Sequence, residues 1–143
     1  MAIERNIGIS CISLPVADIR RSYRFYTEAL GFPAPPLAEG ADHMAFRLGQ
    51  GLHFVILLRS DFEVYGTGAG VTLAGPGQAG CVLSYFAGSK AEVDGVLQGV
   101  AAAGGRVTPP KEEAWGYAGF FSDPDGHLWE VMYNARLNDA FSS

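Results

Sequence analysis

The sequence predicts an α+β protein in which two similar units pair to form a curved mixed sheet around a cavity. Each half reads as a strand, an amphipathic helix and then further strands that end in a hairpin. Gly51 and Gly126 mark the corresponding hairpin turns. Because one helix covers only one face of each small sheet, the other face needs a partner. Pairing the two open faces would enclose a cavity.

The composition favours a folded, reduced protein. The 143 residues are 48% hydrophobic and 17% charged, which suits one compact domain or two small fused modules. The net charge of −5 argues against a nucleic-acid or anionic-membrane surface. No apolar run could span a bilayer, residues 1–5 lack a signal-peptide core, and two cysteines make no disulfide framework. We therefore expect a cytoplasmic protein.

The first half divides at proline and glycine residues. A strand ends at Pro15, and a helix runs from Ile19 to Leu30 between the cap residue Asp18 and Gly31. A proline-containing loop precedes a predicted hairpin, whose strands are His43 to Leu48 and His53 to Arg59.

The glycine-rich stretch 61–79 predicts a linker or a flap, with a short strand around 71–73. We place module one at about 1–65, the linker at about 66–79 and module two at about 80–136. Module two begins with a strand over 81–86, followed by a helix that Ser89 and Glu92 open as a capping box.

The last hairpin contains a carboxylate on an apolar strand. Asp-Pro-Asp-Gly at 123–126 is turn chemistry, and alternation on the next strand puts Leu128, Glu130 and Met132 on one face. An ionised group there needs a partner, a metal or water. Glu130 is therefore either a functional group or the solvated side chain of an open groove.

Three motifs carry a family resemblance. They are Leu-Pro-Val-Ala-Asp-Ile at 14–19, Leu-Gly-Phe at 30–32 and Asp-Pro-Asp-Gly-His-Leu-Trp-Glu at 123–130. With these motifs the chain resembles the vicinal oxygen chelate superfamily of glyoxalase I, extradiol dioxygenases, and fosfomycin- and bleomycin-resistance proteins, and in particular its glyoxalase-like branch. The resemblance implies two βαβββ modules and often a homodimer, with the cavity either within one chain or between two.

The resemblance also implies where a metal would bind. Metal-using members have four ligand positions, and Glu130 is the one usual ligand that this sequence keeps. Two of the other positions hold Cys11 and Cys81, and the last holds Leu57 or Val55. This set suits neither a hard cation nor a two-histidine iron site, so we expect no metal cofactor. A zinc site of Cys11, Cys81, Glu130 and His53 is the alternative.

Other side chains are candidates for lining the cavity. Arg47 could bind an anionic ligand or could be an ordinary surface arginine. Trp115, Tyr117 and Phe121 are expected on one face of the penultimate strand, where they either wall the cavity or belong to the core.

Two functions follow. The first is a metal-independent protein that binds a small, partly aromatic molecule, with Met132 and the side chains above lining the groove. The second, implied by the resemblance, is a lactoylglutathione-lyase-like lyase or isomerase for a small carbonyl compound, with Glu130 as the general base and with a metal in some family members.

Overall fold

A computed structural model describes residues 7–137. The first half contains β1 (Cys11–Val16), α1 (Ile19–Arg24) with a π-helical turn over Phe25–Ala29, β2 (His43–Arg47), β3 (His53–Leu58) and α2 (Arg59–Ala69). The second half contains β4 (Val82–Phe86), α3 (Lys90–Ala102), β5 (Arg106–Val107), β6 (Lys111–Glu113), β7 (Gly116–Ser122) and β8 (Leu128–Tyr133). The residues behind the signal-peptide expectation, 1–5, lie outside the described range. No helix within that range is long and apolar enough to cross a membrane.

The strands form two sheets. Sheet A has the order β1-β3-β2, with β1 parallel and β2 antiparallel to β3. Sheet B has the order β4-β8-β7-β5, and β6 also pairs with β7. Both predicted hairpins are therefore confirmed, and each sheet places its first strand parallel to its last.

The predicted caps begin the two main helices. The Asp18 carboxylate accepts a hydrogen bond from the Arg21 backbone N–H at 3.0 Å, which starts α1. The Ser89 hydroxyl accepts one from the Glu92 N–H at 3.1 Å, which starts α3. Each cap satisfies a backbone donor that the first helical turn leaves unpaired.

The prediction for the glycine-rich stretch was wrong in its first part, because α2 occupies residues 59–69. The helix tolerates its glycines because Gly66 allows a close approach: a Cβ there would lie 2.9 Å from the Val71 carbonyl oxygen. Gly70, with φ of 72°, ends the helix in the left-handed conformation. Residues 71–81 form no helix or strand, so the short strand expected around 71–73 is not present.

The two modules share one core, made from the helix-covered face of each sheet. The rings of Phe54 on sheet A and Trp129 on sheet B lie 5.7 Å apart. Tyr26 from the π-helical turn contacts both, at 4.8 and 5.9 Å. Because these inner faces meet, the other face of each sheet points away from the core. We call these the open faces of sheets A and B.

Candidate functional site

The open face of sheet B is centred on Glu130. Strand register places Ser84 of β4 and Phe120 of β7 on either side of it. The Ser84 hydroxyl donates to Glu130 Oε1 at 3.0 Å, and the Trp115 indole N–H donates to Oε2 at 2.8 Å. The carboxylate is half-buried and has a fixed orientation.

Trp115 reaches this carboxylate from the turn between β6 and β7. Gly116 follows it with φ of 145°, and a Cβ at Gly116 would lie 2.6 Å from the Tyr133 carbonyl oxygen. The Asn134 side-chain amide donates to the Trp115 carbonyl at 2.7 Å. This turn requires glycine, and it directs the indole across the open face while leaving the residue 44% exposed.

The expected grouping of Trp115 with Tyr117 and Phe121 was wrong, because the strand begins only at Gly116. Tyr117 points the other way and donates to Asp94 of α3 at 2.7 Å. Phe121 is 2% exposed and stacks on Trp129 in the shared core. Of the three aromatic residues, Trp115 alone contacts Glu130.

Hydrophobic side chains surround the Glu130 carboxylate. Val82 and Phe86 of β4 share its face and are 46% and 38% exposed. Met132, expected from the sequence to line the groove, also shares this face but is buried, with 2% of its surface exposed. A carboxylate has about four acceptor positions, and the two observed donors leave positions for further donors. The face can therefore bind a molecule that combines a hydrogen-bond donor with apolar surface.

The structure separates Cys81 from Glu130. Cys81 lies one residue before β4, and alternation groups it with Leu83, which pairs with Trp129. Val82 and Ser84 therefore share the face of Glu130, because a shift of one residue moves a side chain to the other face. The sequence contained a signal for this: Val82 lies seven residues before the cap Ser89, as Cys11 lies seven before Asp18.

The remaining candidates lie on the open face of sheet A. Register places Cys11, His53 and Arg47 in one row across the three strands, with Val55 in the next row. Leu57 follows on the same face of β3, but only 8% of its surface is exposed, because it lies at the end of the sheet near α2. Cys11 and Cys81 are both free and exposed, contrary to the buried apolar role common for cysteine.

The zinc alternative has no support from a single chain. Within residues 7–137, no three His, Cys, Asp or Glu side chains group as a metal site requires. Cys11 and His53 lie on sheet A, whereas Glu130 lies on sheet B. Strand alternation directs Cys81 to the other face of sheet B from Glu130.

Sequence reasoning missed the role of the 123–126 turn in joining the modules. Asp125 is nearly buried and accepts hydrogen bonds from the Arg21 guanidinium at 3.1 Å and the Ala17 N–H at 2.9 Å. Asp123 accepts one from the Tyr26 hydroxyl at 2.6 Å. Burial raises the pKa of Asp123, although that hydrogen bond opposes the shift. The sequence contained a signal for this role: the turn has two aspartates, Asp123 and Asp125, although a turn does not require both.

Two sheets of this topology, each with a helix on its inner face, have the arrangement of the vicinal oxygen chelate fold. The chain belongs to the Glyoxalase/Bleomycin resistance protein/Dioxygenase superfamily, whose sequence profile matches residues 8–131. No curated protein matches it.

Solved structures share this fold. A glyoxalase-related enzyme from Fulvimarina pelagi has 25% identity and a TM-score of 0.74, over 89% of this chain and 88% of that one. A protein of unknown function from Agrobacterium tumefaciens str. C58 has 26% identity and a TM-score of 0.67, over 92% and 97%. TnmS3, an antibiotic binding protein from Streptomyces sp. CB03234, has 22% identity and a TM-score of 0.62, over 94% and 99%.

Proposed function

We propose that this protein binds a small, partly aromatic molecule in the cytoplasm, on the open face of sheet B and without the metal of its family. The observation that carries the proposal is the Glu130 carboxylate, held by Ser84 and Trp115 at 3.0 and 2.8 Å within an apolar surface. Such a group gives orientation to a ligand whose affinity comes mainly from buried apolar area.

The ligand that fits carries a hydroxyl or ammonium group beside an aromatic ring. The donor would occupy a remaining acceptor position of Glu130. The ring would pack against the exposed Trp115 indole, with Val82 and Phe120 beside it. TnmS3, an antibiotic binding protein, has the same fold, and this likeness supports a binding role for the present chain.

The side chains around Glu130 do not fit a divalent cation. Val82, Phe86, Phe120 and Met132 share its face and offer no nitrogen, oxygen or thiolate ligand. The Ser84 hydroxyl acts as a donor to the carboxylate. Sheet B by itself therefore supplies no metal site, and the proposed mechanism uses the carboxylate as a hydrogen-bond acceptor.

We also propose that the protein is a homodimer in which the open face of sheet A from one copy covers the open face of sheet B from the other. The two open faces lie on opposite sides of the core, so one chain cannot close the groove by itself. Val82, which is 46% exposed on the open face of sheet B, would be buried by a second copy.

Sedimentation equilibrium of wild type and Val82→Asp tests this assembly. We expect a dimer for the wild type and a monomer for the variant, because the new carboxylate would be buried. Val71→Asp is the matched control, since Val71 is 58% exposed outside both sheets. A monomeric wild type would disprove the dimer.

Binding is tested with a panel of phenols and aromatic amines, followed by tryptophan fluorescence. For any compound that binds, Glu130→Gln should weaken affinity by roughly tenfold or more, the effect of losing a charged hydrogen bond of about 1.5–3 kcal/mol. Trp115→Phe should weaken it too. Glu39→Gln, an exposed loop change, should have no effect. Equal affinities for Glu130→Gln and wild type would refute the role of Glu130.

The second candidate is a glyoxalase-like lyase or isomerase with Glu130 as general base. The similarity to a glyoxalase-related enzyme and the open acceptor positions of Glu130 favour it. Turnover of a panel of small carbonyl compounds distinguishes the two functions. If Glu130→Gln abolishes turnover and leaves substrate affinity unchanged, the protein is an enzyme.

A further inference from the structure

The open face of sheet A has an uneven distribution of charge. Strand register aligns Cys11, His53 and Arg47 side by side across β1, β3 and β2. None of these three strands contains an aspartate or a glutamate. In a protein with a net charge of −5, this face therefore presents a local excess of positive charge.

Arg47 is available for a ligand. The residue is exposed, and its guanidinium makes no hydrogen bond or ion pair with any residue in the described range 7–137. Arg21, by contrast, is paired with Asp125 at 3.1 Å. The nearest acidic side chain along β2, Asp42, accepts a hydrogen bond from His43 Nδ1 at 2.7 Å.

We propose that the Cys11–His53–Arg47 row binds the carboxylate of a small organic acid. A guanidinium presents a planar pair of donors that matches a carboxylate, and the neighbouring imidazole adds a third donor. The inference rests on the proposed function, because it takes the ligand to lie between sheet A of one copy and sheet B of another. The ligand class is then a small aromatic acid that also carries a hydroxyl or ammonium donor for Glu130.

Cys11 provides a probe of this row that requires no knowledge of the ligand. Both cysteines are exposed in the single chain, and a groove that admits the proposed ligand also admits iodoacetate, which is anionic, and iodoacetamide, which is neutral. In both reactions the thiolate sulfur forms a bond to carbon and iodide leaves. The ratio of the two rates, measured for each cysteine by peptide mass spectrometry, reports the local preference for an anion.

We expect the iodoacetate-to-iodoacetamide ratio to be roughly twofold higher at Cys11 than at Cys81 at low ionic strength, as for a unit charge about 10 Å away in water, because β3 lies between Cys11 and Arg47. Arg47→Ala should lower the Cys11 ratio toward that of Cys81, and Arg47→Lys should retain most of it. Arg24→Ala, which removes an exposed arginine from α1, is the charge-matched control. Benzoate should protect Cys11 from iodoacetamide in the wild type and not in Arg47→Ala.

Equal ratios at the two cysteines, or a Cys11 ratio unchanged by Arg47→Ala, would overturn the proposal. So would a Cys11 that does not react while Cys81 does, because small anions would then have no access to the row. These outcomes are independent of Glu130→Gln and of sedimentation. A failure here is therefore distinguishable from a failure of the proposed function.

Discussion

The hydroxyl of Tyr26 lies 2.6 Å from a carboxylate oxygen of Asp123, and both residues are buried. The same hydroxyl accepts a hydrogen bond from the Trp129 indole at 3.2 Å. One oxygen atom thus joins the helix of the first module to the last hairpin of the second. Burial and the Asp123 charge raise the pKa of Tyr26 well above its ordinary value, so it remains a donor at all physiological pH values.

Tyr26→Phe should destabilise the protein by about 1–3 kcal/mol, because a buried carboxylate loses its hydroxyl donor and the Trp129 indole loses its acceptor. Urea unfolding measures the change. Tyr65→Phe removes a hydroxyl from a residue that is 68% exposed and should cost nothing measurable. Equal stabilities for Tyr26→Phe and wild type would contradict the importance of this junction.

Asp123 should give folding stability a specific pH dependence. Burial raises its pKa above the ordinary 3.8, so between these two values the native state binds more protons than the unfolded state. Its contribution is then fully present below pH 3.8 and is lost as pH rises through the native pKa. Relative to Asp123→Asn, wild type should become more stable as pH falls toward 4.

Urea unfolding of wild type and Asp123→Asn across pH 4–7 would measure this trend. The difference between the two proteins removes the effect of every other titrating group. A difference that stays constant, or that changes in the opposite direction, would show that the native pKa is not raised.

Gly116→Ala should disrupt the site through the backbone. The new Cβ would lie 2.6 Å from the Tyr133 carbonyl oxygen, at a φ of 145° that alanine rarely adopts. We expect a loss of about 1–3 kcal/mol in stability and a red-shifted Trp115 emission as the indole leaves Glu130. Gly80→Ala, where nothing lies within 4 Å of the added Cβ, should leave both properties unchanged.

Two glycines of α3 offer a matched pair. Gly95→Ala meets no atom within 4 Å, so it should stabilise the helix by about 0.5–1 kcal/mol. Gly99→Ala would place a Cβ 3.2 Å from the Ala29 carbonyl oxygen, where α3 meets the other module. Thermal unfolding should rank Gly95→Ala above Gly99→Ala, and the reverse order would refute this account.

Local sequence signals predicted most of the elements. Helices and strands begin and end at local signals, which depend only on neighbouring residues. These signals are the caps at Asp18 and Ser89, the glycine turns and the Asp-Pro-Asp-Gly turn. They did not predict α2, because the glycines at 66, 68 and 70 are typical of a loop. In the structure Gly66 lies in a helix, where the absence of a side chain lets the Val71 carbonyl pack closely against it. The local signals also did not predict that Val82 and Ser84, and not Cys81, share the face of Glu130, because a shift of one residue moves a side chain to the other face.

Short-range patterns predicted the two modules and the placement of Glu130 on an apolar strand, because side-chain alternation and turn formation depend on only a few neighbouring residues. Tertiary structure alone decided which faces meet, since the contact between Phe54 and Trp129 joins distant parts of the chain. It also decided that Trp115 and Ser84 hold Glu130, because both depend on how strands pair and turn in space. Side-chain partners across a sheet follow from register, and register is set by the packing of the whole core.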